Sequence, residues 1–450
     1  MLKEKLLRVS IILIALFTAT IYFVTDSRVN DLVDKSITAK ADSVSKIGLH
    51  MVQSKYPGGW NVKDGKLYKG DKLVGENSEV LDEIKEKTSS YASIYYADER
   101  VATSELDKNG KRVLGTKVSN DVVLSVLGRG NSYEETANIL GKKYAVSYLP
   151  LKDRGGKIIG MWSVAVPKMS GVNKGANITV MRASIVVISL LCGFIGCLIL
   201  MLYSKKFLSG IDTLKVSFLG SNKSNNKTQQ RVLSMSLVLI FTFFAIWFTI
   251  QGYTIGNVVN SIEDNNVKDR LDVNSKLGYV LIDDFYKGGW SVQDNKLYKG
   301  ENHINEDAVI LDRISYSEGY FSTVFLGDTS ISTNFVNPDG TKTVGTKAPE
   351  QIVETVLKQG KEFAGEITDA DKKSFVRYMP LKDSSGKTIG MWSIGVEKKN
   401  AAKQIGNLRK TITQISILAI IIAFSTFLFL SIKMVSDINN FQVSFHTNMN

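Results

Sequence analysis

Cysteine is scarce in this chain of 450 residues, which contains only Cys192 and Cys197. Both lie inside one long apolar run, so the more polar segments contain no residue that could form a disulfide. The five-residue spacing of the two cysteines matches no metal-binding motif, and we interpret them as small apolar side chains on a membrane helix. Polar segments of about 155 residues are large enough to fold around a core without covalent cross-links.

Histidine is also scarce, because the chain contains only His50, His303 and His446, which lie far apart. The HExxH, P-loop and G-x-S-x-G motifs are absent, as is any Cys/His cluster. The neighbouring pair Glu134 and Glu135 does not by itself provide acid–base catalysis, which needs further positioned groups. We therefore expect neither enzymatic activity nor a cofactor.

The net charge of +12 does not indicate a nucleic-acid partner. Proteins that bind nucleic acid usually carry a stripe of Lys and Arg interleaved with aromatic residues, and none is present. The apolar runs contain no acidic residue, and ion-coupled transporters often place such residues in the middle of the membrane.

Four apolar runs, at 9–24, 185–203, 233–250 and 412–432, are each close to the roughly 20 residues that span a bilayer as a helix. The first run has a signal peptide as its alternative, since Lys3, Lys5 and Arg8 precede it, but no small-x-small cleavage site follows. We predict four membrane helices, within 1–25 and at 181–203, 232–252 and 411–433.

The loop at 204–231 is basic, with six Lys or Arg residues against the single acid Asp212. By the positive-inside rule this loop is cytoplasmic. Both termini, including the short tail at 434–450, are then cytoplasmic as well. The segments 26–180 and 253–410 are predicted to lie outside the plasma membrane, with the lipid bilayer as their anchor.

The two outer segments are copies of one domain. The sequence YPGGWNVKDGKLYKG at 56–70 returns as YKGGWSVQDNKLYKG at 286–300, and YLPLKDRGGKIIGMWSVAV at 148–166 returns as YMPLKDSSGKTIGMWSIGV at 378–396. The offset is constant, because 286 − 56 and 378 − 148 both equal 230. A constant offset indicates two complete folded units.

Apolar spacing predicts an α+β domain in each copy. Residues 26–55 lack Pro and repeat Val29, Val33, Ile37 and Ala41 at helical spacing, which predicts a long amphipathic helix that continues the membrane span. We predict short helices at 78–88 and 119–129, and strands at 60–62, 66–68, 91–104, 113–117, 144–151 and 157–166. Asn109-Gly110 is placed at a hairpin turn. A long helix followed by an antiparallel sheet is an α+β layer architecture.

These motifs resemble those of a known family. GGW…LYKG, then DERVAT at 98–103, NGKRVLGTK at 109–117 and YLPLKD…GKIIGMW resemble the single Cache domains. These are extracytoplasmic, PAS-like sensory modules of bacterial chemotaxis receptors and sensor kinases. The second copy follows the same order with FLGDTSISTN, DGTKTVGTK and YMPLKD…GKTIGMW.

The resemblance implies two PAS-like domains, each with a small-molecule pocket between the sheet and the central loops. It implies that ligand binding shifts the membrane helices, through a difference in affinity for two conformations. It also implies pairing as a homodimer. Such receptors carry a signalling domain after the last span, whereas only 434–450 follows here. We therefore keep two alternatives: an accessory protein that acts on a separate receptor or kinase, and a surface interaction protein without a ligand.

Ligand contacts are expected where the copies differ. Each copy has one Arg near the expected pocket, Arg100 and Arg377, and the Arg fork suits bidentate binding of a carboxylate. The alternative is that both point into solvent. Asp98 and Thr103 match Asp328 and Thr333 in the second copy. These matched residues are interpreted either as polar groups of a shared pocket or as caps at strand ends. We interpret the repeated tryptophans as core residues. The expected ligand-binding residues are Tyr96, Asp98, Arg100, Thr103, Tyr148, Phe325, Asp328, Thr333, Arg377 and Tyr378.

Overall fold

The computed structural model describes residues 2–75, 78–168, 225–305, 309–314, 319–336, 340–369 and 372–401, with short helical pieces within 179–191 and 410–425. The predicted spans at 185–203 and 412–432, the loop at 204–231 apart from its last residues, and the tail at 434–450 lie largely outside these ranges. Within the described part of the chain, no helix combines the length and apolar character needed to cross a bilayer. The four membrane helices stay predictions.

The first copy is a long helix followed by a small sheet and a large sheet. The helix is continuous, as the lack of Pro and the single late Gly48 allow. A π-helical turn at Val123–Gly128 continues the short helix Asn120–Val122. The elements are α1 (Leu2–Lys55), β1 (Trp60–Lys63), β2 (Lys66–Lys69), β3 (Lys72–Leu73), α2 (Glu79–Thr88), β4 (Tyr91–Tyr96), β5 (Glu99–Thr103), α3 (Asn120–Val122), β6 (Tyr133–Ile139), β7 (Lys142–Lys152) and β8 (Ile158–Pro167).

The second copy repeats this order. Its π-helical turn at Val353–Lys358 continues the short helix Glu350–Ile352 in the same way. The elements are α4 (Asn225–Phe285), β9 (Trp290–Gln293), β10 (Lys296–Lys299), β11 (Asn302–His303), α5 (Val309–Ile314), β12 (Tyr320–Leu326), β13 (Thr329–Thr333), α6 (Glu350–Ile352), β14 (Phe363–Asp369), β15 (Lys372–Lys382), β16 (Thr388–Glu397) and α7 (Lys398–Ala401).

Each copy builds a five-stranded antiparallel sheet, in the orders β5-β4-β8-β7-β6 and β13-β12-β16-β15-β14. Each also has a three-stranded sheet, β1-β2-β3 or β11-β10-β9. The predicted α+β class is therefore confirmed. The predicted strand at 113–117 is wrong, because this stretch makes only isolated bridges, such as Glu99 with Lys117. The edge strand β6 was not predicted.

One face of each large sheet packs against the long helix of the same copy. In the first copy Ile94, Trp162 and Val164 belong to this buried face. The indole Nε1 of Trp162 donates a hydrogen bond to the carbonyl of Ser45 at 2.9 Å, and Trp392 makes the equivalent bond to Ser275 at 3.4 Å. The repeated tryptophans are thus core residues, as predicted. We name the opposite side of each sheet the distal face.

The two copies share one compact unit. Contacts divide the chain into a unit of Leu32–Gly171 with Glu263–Lys403, and a second unit of Met1–Asp31, Val172–Ile262 and Gln404–Asn450. In the first of these, one hydrophobic cluster runs through both copies and includes Ile37 and Val44 as well as Val267 and Leu271. The copies are therefore joined by apolar packing as well as by the chain.

Candidate ligand-binding face

The distal face of the first domain is rich in tyrosine. Strand residues alternate between faces, so Tyr95 on β4, Tyr144 and Tyr148 on β7, and Met161 on β8 share the side opposite α1. Val126 of the π-helical turn covers them. Among these neighbours, Tyr95 and Tyr148 have ring centroids 6.2 Å apart.

Arg100 forms the charged centre of this face. Its Nε and Nη2 each donate a hydrogen bond to the Tyr95 hydroxyl at 3.1 Å, and its Nη1 donates to Glu105 Oε2 at 2.7 Å. The Arg100 and Glu105 side chains are only 14% and 8% exposed. Burial alone would lower the pKa of Arg100, but Tyr95 and Glu105 beside it raise that pKa above its usual value. Arg100 therefore stays charged inside the domain.

Thr103 sets the position of Glu105. Its hydroxyl lies 2.8 Å from Ser93 Oγ and accepts the backbone N–H of Glu105 at 3.1 Å. Further along the loop, Asp107 accepts the N–H groups of residues 109 and 111, both at 2.8 Å. The predicted residue Thr103 is thus close to Arg100, where it directs the chain that carries the acid.

Tyr148 extends the polar network toward β6. Its hydroxyl donates to Glu135 Oε1 at 2.9 Å. Burial, and then the neighbouring Tyr95 and Glu135, raise the pKa of Tyr148, so it is a neutral hydrogen-bond donor at physiological pH. Arg100, two acids and two tyrosines together offer donors and acceptors on an aromatic surface. Such a face can bind a small molecule that carries both an acidic and a basic group.

Two predicted residues lie elsewhere in the first domain. Asp98 sits at the β4–β5 turn and pairs with Lys117 at 2.9 Å, which lowers the pKa of the Asp98 carboxyl. Tyr96 points away from the distal face and borders an open cleft of about 560 Å³. That cleft is lined by Trp60, Asn61, Val62, Tyr96, Ala97, Asp153, Arg154, Gly155, Lys157, Ile158 and Ile159.

The distal face of the second domain is apolar where the first is charged. Phe325, Ser330 and Phe335 stand at the positions of Tyr95, Arg100 and Glu105. Aromatic rings lie close to one another on this face. Phe321 and Phe335 have ring centroids 4.8 Å apart, and Phe325 and Tyr378 have centroids 5.7 Å apart.

Glycine makes room for these phenylalanine rings. Gly365 replaces Glu135, and a Cβ at Gly365 would lie 2.9 Å from Cζ of Phe363. A Cβ at Gly395 would lie 2.4 Å from Cζ of Phe321. The phenylalanine rings of the second domain therefore fill space that other side chains occupy in the first domain.

Of the other predicted residues of the second domain, Thr333 has a structural role and Asp328 lies at the surface. Thr333 pairs with Thr323 at 2.8 Å and directs the chain into Phe335, as Thr103 does for Glu105. Asp328 pairs with Lys347 at 2.6 Å at an exposed turn.

Arg377 lies on the helix side of its sheet, not on the distal face. Its Nη1 is 2.7 Å from Asp272 of α4, and its Nη2 pairs with Glu362. Its neighbour Tyr378 does face the distal side, as alternation along β15 requires. The structure thus places the two predicted arginines on opposite sides of their sheets.

Sequence reasoning missed Tyr95 and Glu105. The signal was present, because the second copy replaces both with phenylalanine. Within the described ranges, no group of three or more His, Cys, Asp or Glu residues forms a metal site.

The family profile described as "Single cache domain 3" matches residues 72–176 and 302–408. The chain therefore carries two single Cache domains in tandem, of the extracytoplasmic sensory class. No curated protein matches the chain.

Three solved structures are similar to this chain at low identity. An extracellular ligand-binding receptor from Desulfohalobium retbaense is 10% identical, with 84% of this chain and 39% of that chain covered and a TM-score of 0.21. The ligand-binding domain of the Campylobacter jejuni chemoreceptor Tlp3, in complex with L-valine, is 6% identical, with 86% and 98% covered and a TM-score of 0.20. The periplasmic sensory domain of Tlp1 from the same organism is 9% identical, with 86% and 96% covered and a TM-score of 0.19.

Proposed function

We propose that the chain is a membrane-anchored sensory module whose first Cache domain binds a small extracellular ligand on its distal face. The observation that carries this proposal is the buried network of Arg100, Glu105 and Tyr95, which has no counterpart in the second domain. A buried ion pair stabilises a protein weakly, so its presence calls for another role. Perturbed charged groups of this kind cluster at functional sites.

The ligand class follows from the groups on this face. A ligand carboxylate would replace Glu105 on the Arg100 fork, which suits bidentate binding. The released acid, or Glu135, would then accept an amine. Small amino acids and related short carboxylates fit both requirements, and the Tlp3 structure is a complex with L-valine.

The second domain is assigned no ligand in this proposal. Its distal face lacks the Arg and both acids, and the Phe363 ring lies beside Gly365, where Glu135 stands in the first domain. A polar ligand there would lose its hydration without gaining hydrogen bonds, which is unfavourable. The first domain would then sense the ligand, and the second domain would support the first.

The signal would leave the first domain through its long helix. Trp162 on β8 is hydrogen-bonded to Ser45 of α1, so a shift of the sheet is transmitted to the helix. A ligand can shift the helix only if it binds one of two positions of the sheet more tightly than the other. The membrane spans, the cytoplasmic termini and the output belong to this proposal as well. An accessory role, acting on a separate signalling protein, is the second candidate.

The test is a thermal-shift screen of the whole chain in detergent against amino acids, short carboxylates and purines. The whole chain is used because the domains share a hydrophobic cluster. A ligand at 100 times its dissociation constant adds about 2.7 kcal/mol to the free energy of unfolding. We expect at least one amino acid or short carboxylate to do so.

Variants identify the domain that responds. Arg100→Ala should abolish the shift, and Arg100→Lys should weaken it, since Lys keeps the charge but loses the fork. Ser330→Ala, at the equivalent position of the second domain, should retain it. A shift that persists in both Arg100 variants would show that the ligand binds elsewhere. A well-folded chain that no compound stabilises would favour the accessory role.

A further inference from the structure

Three polar contacts join α1 of the first domain to α4 of the second. Lys40 Nζ donates to Asp269 Oδ2 at 3.1 Å, and Ser43 Oγ donates to Asn274 Oδ1 at 2.8 Å. Lys55 Nζ lies 3.8 Å from Asp284 Oδ1.

The contacting residues follow each other in the same order and at nearly the same spacing along both helices. The separations 269 − 40, 274 − 43 and 284 − 55 are 229, 231 and 229, all within one residue of the repeat offset of 230. The helices therefore run parallel, and each position meets its own counterpart in the other copy. This is the geometry of a two-fold pair, formed within one chain.

In the two ion pairs described above, Lys40 with Asp269 and Lys55 with Asp284, the cation comes from α1 and the anion from α4. The position in α1 that matches Asp269 is Ala39, and the position that matches Asp284 is Ser54. The first domain therefore offers no acid at either position to a second copy of itself. Pairing two first domains would set each Lys40 against Ala39.

Burial makes that mismatch unfavourable. The Lys40 side chain is 11% exposed in the pair, and Asp284 is 9% exposed. A buried ammonium without its partner is strongly destabilising. Two second domains could still pair Arg270 with Asp269, but they would leave every first domain without a partner. Pairing of unlike domains satisfies both.

We propose that this charge pattern pairs the first domain with the second domain of the same chain, so that one chain holds a complete pair of sensory domains. Opposite charges at a helix seam choose between partners in this way. The covalent connection raises the effective concentration of the second domain to the millimolar range, which favours pairing within the chain over pairing between chains. The homodimer expected from the family resemblance is then not needed for sensing. This inference does not depend on the ligand site.

The first experiment is crosslinking in the full-length chain in membranes. Cys192→Ala and Cys197→Ala remove the native thiols, and Ser43→Cys with Asn274→Cys introduces one thiol on each side of the seam. Oxidation with copper phenanthroline should join the two thiols by a disulfide within one chain, at monomer mass on a non-reducing gel, because the side chains that they replace are in direct contact. After cleavage at a protease site inserted into 204–231, the halves should stay joined. The single variant Ser43→Cys should not crosslink.

Two products would overturn the proposal. A band at twice the monomer mass from the double variant would show pairing between chains. A dimer from Ser43→Cys alone would show pairing of two first domains. Failure of the halves to stay joined would show that the seam does not form.

The second experiment tests the charges. Lys40→Asp in the double-cysteine chain should slow crosslinking at least about fivefold, the ratio that corresponds to about 1 kcal/mol. Adding Asp269→Lys should restore the rate. Lys46→Asp is the matched control, because Lys46 pairs with Asp42 on the same helix and should leave the rate unchanged. Equal rates in the Lys40→Asp and Lys46→Asp chains would contradict a role for the charges.

Discussion

Arg100 and Glu105 illustrate how a single pair of residues separates two domains of the same fold. In the first domain they form a buried ion pair beside Tyr95. In the second domain Ser330 and Phe335 occupy the same places and the fold is unchanged. The fold therefore does not require the charges, in agreement with the binding role that we propose for them.

The pair also gives a prediction about stability. Glu105→Ala should lower the free energy of unfolding by about 3–5 kcal/mol, because it leaves Arg100 buried without its partner. The double variant Arg100→Ser with Glu105→Phe, which copies the second domain, should be less destabilised than Glu105→Ala. Thermal unfolding of the purified chains compares them. A double variant at least as unstable as the single one would mean that the ion pair stabilises the first domain.

The close approach of helix and sheet depends on one glycine in each long helix. A Cβ at Gly48 would lie 2.9 Å from Ile84 Cδ1 and 3.0 Å from Trp162 Cζ2. Gly278 is equally close to Ile314 and Trp392. Because the tryptophans are fully buried, they cannot move aside without disturbing the core.

Gly48→Ala should therefore destabilise the chain, although alanine is the better helix former. Overpacking costs about 1–3 kcal/mol, and the gain in helix propensity is only about 0.5–1 kcal/mol. Gly256→Ala is the control, since no heavy atom lies within 4 Å of a Cβ there. It should be neutral or stabilising. Melting temperatures measure both changes, and a rise for Gly48→Ala would show that the core has spare room.

Long periodic segments and repeated motifs could be predicted from the sequence, but the faces of the strands could not. The helix over 26–55 and the strand at 157–166 are confirmed. In contrast, β6 alternates polar residues at a sheet edge and carries little apolar signal. Tyr95 and Tyr96 are neighbours, and a bulge between Ile94 and Tyr95 shifts the pairing with β5. Sequence alone could not tell which tyrosine faces Arg100.

Two features of the candidate site were within reach of sequence reasoning. Arg377 and Tyr378 are adjacent in one strand, so they cannot share a face. The replacements of Tyr95 and Glu105 by phenylalanine were visible in the aligned copies. The seam between the domains was not, because an internal repeat does not reveal which surfaces of the two copies meet.

At the scale of the whole molecule, the two domains are expected to unfold as one. The hydrophobic cluster that contains Trp162 and Val44 of the first domain also contains Val267 and Trp392 of the second. Removing packing on one side therefore weakens the support of the other. Independent domains, connected only by the chain, would not behave in this way.

Trp392→Ala tests this coupling, since replacing a buried tryptophan by alanine costs about 3–5 kcal/mol. We expect faster amide hydrogen exchange in the second domain and also in β8 of the first domain. The strands that pair with β8 in its sheet are β4 and β7, which belong to the first domain as well. The reciprocal variant Trp162→Ala should accelerate exchange in β16. Exchange that changes only in the substituted domain would show that each domain is stable alone. Acceleration in both would mean that a ligand bound to the first domain stabilises the second without contacting it, which is how one occupied site could set the position of both long helices.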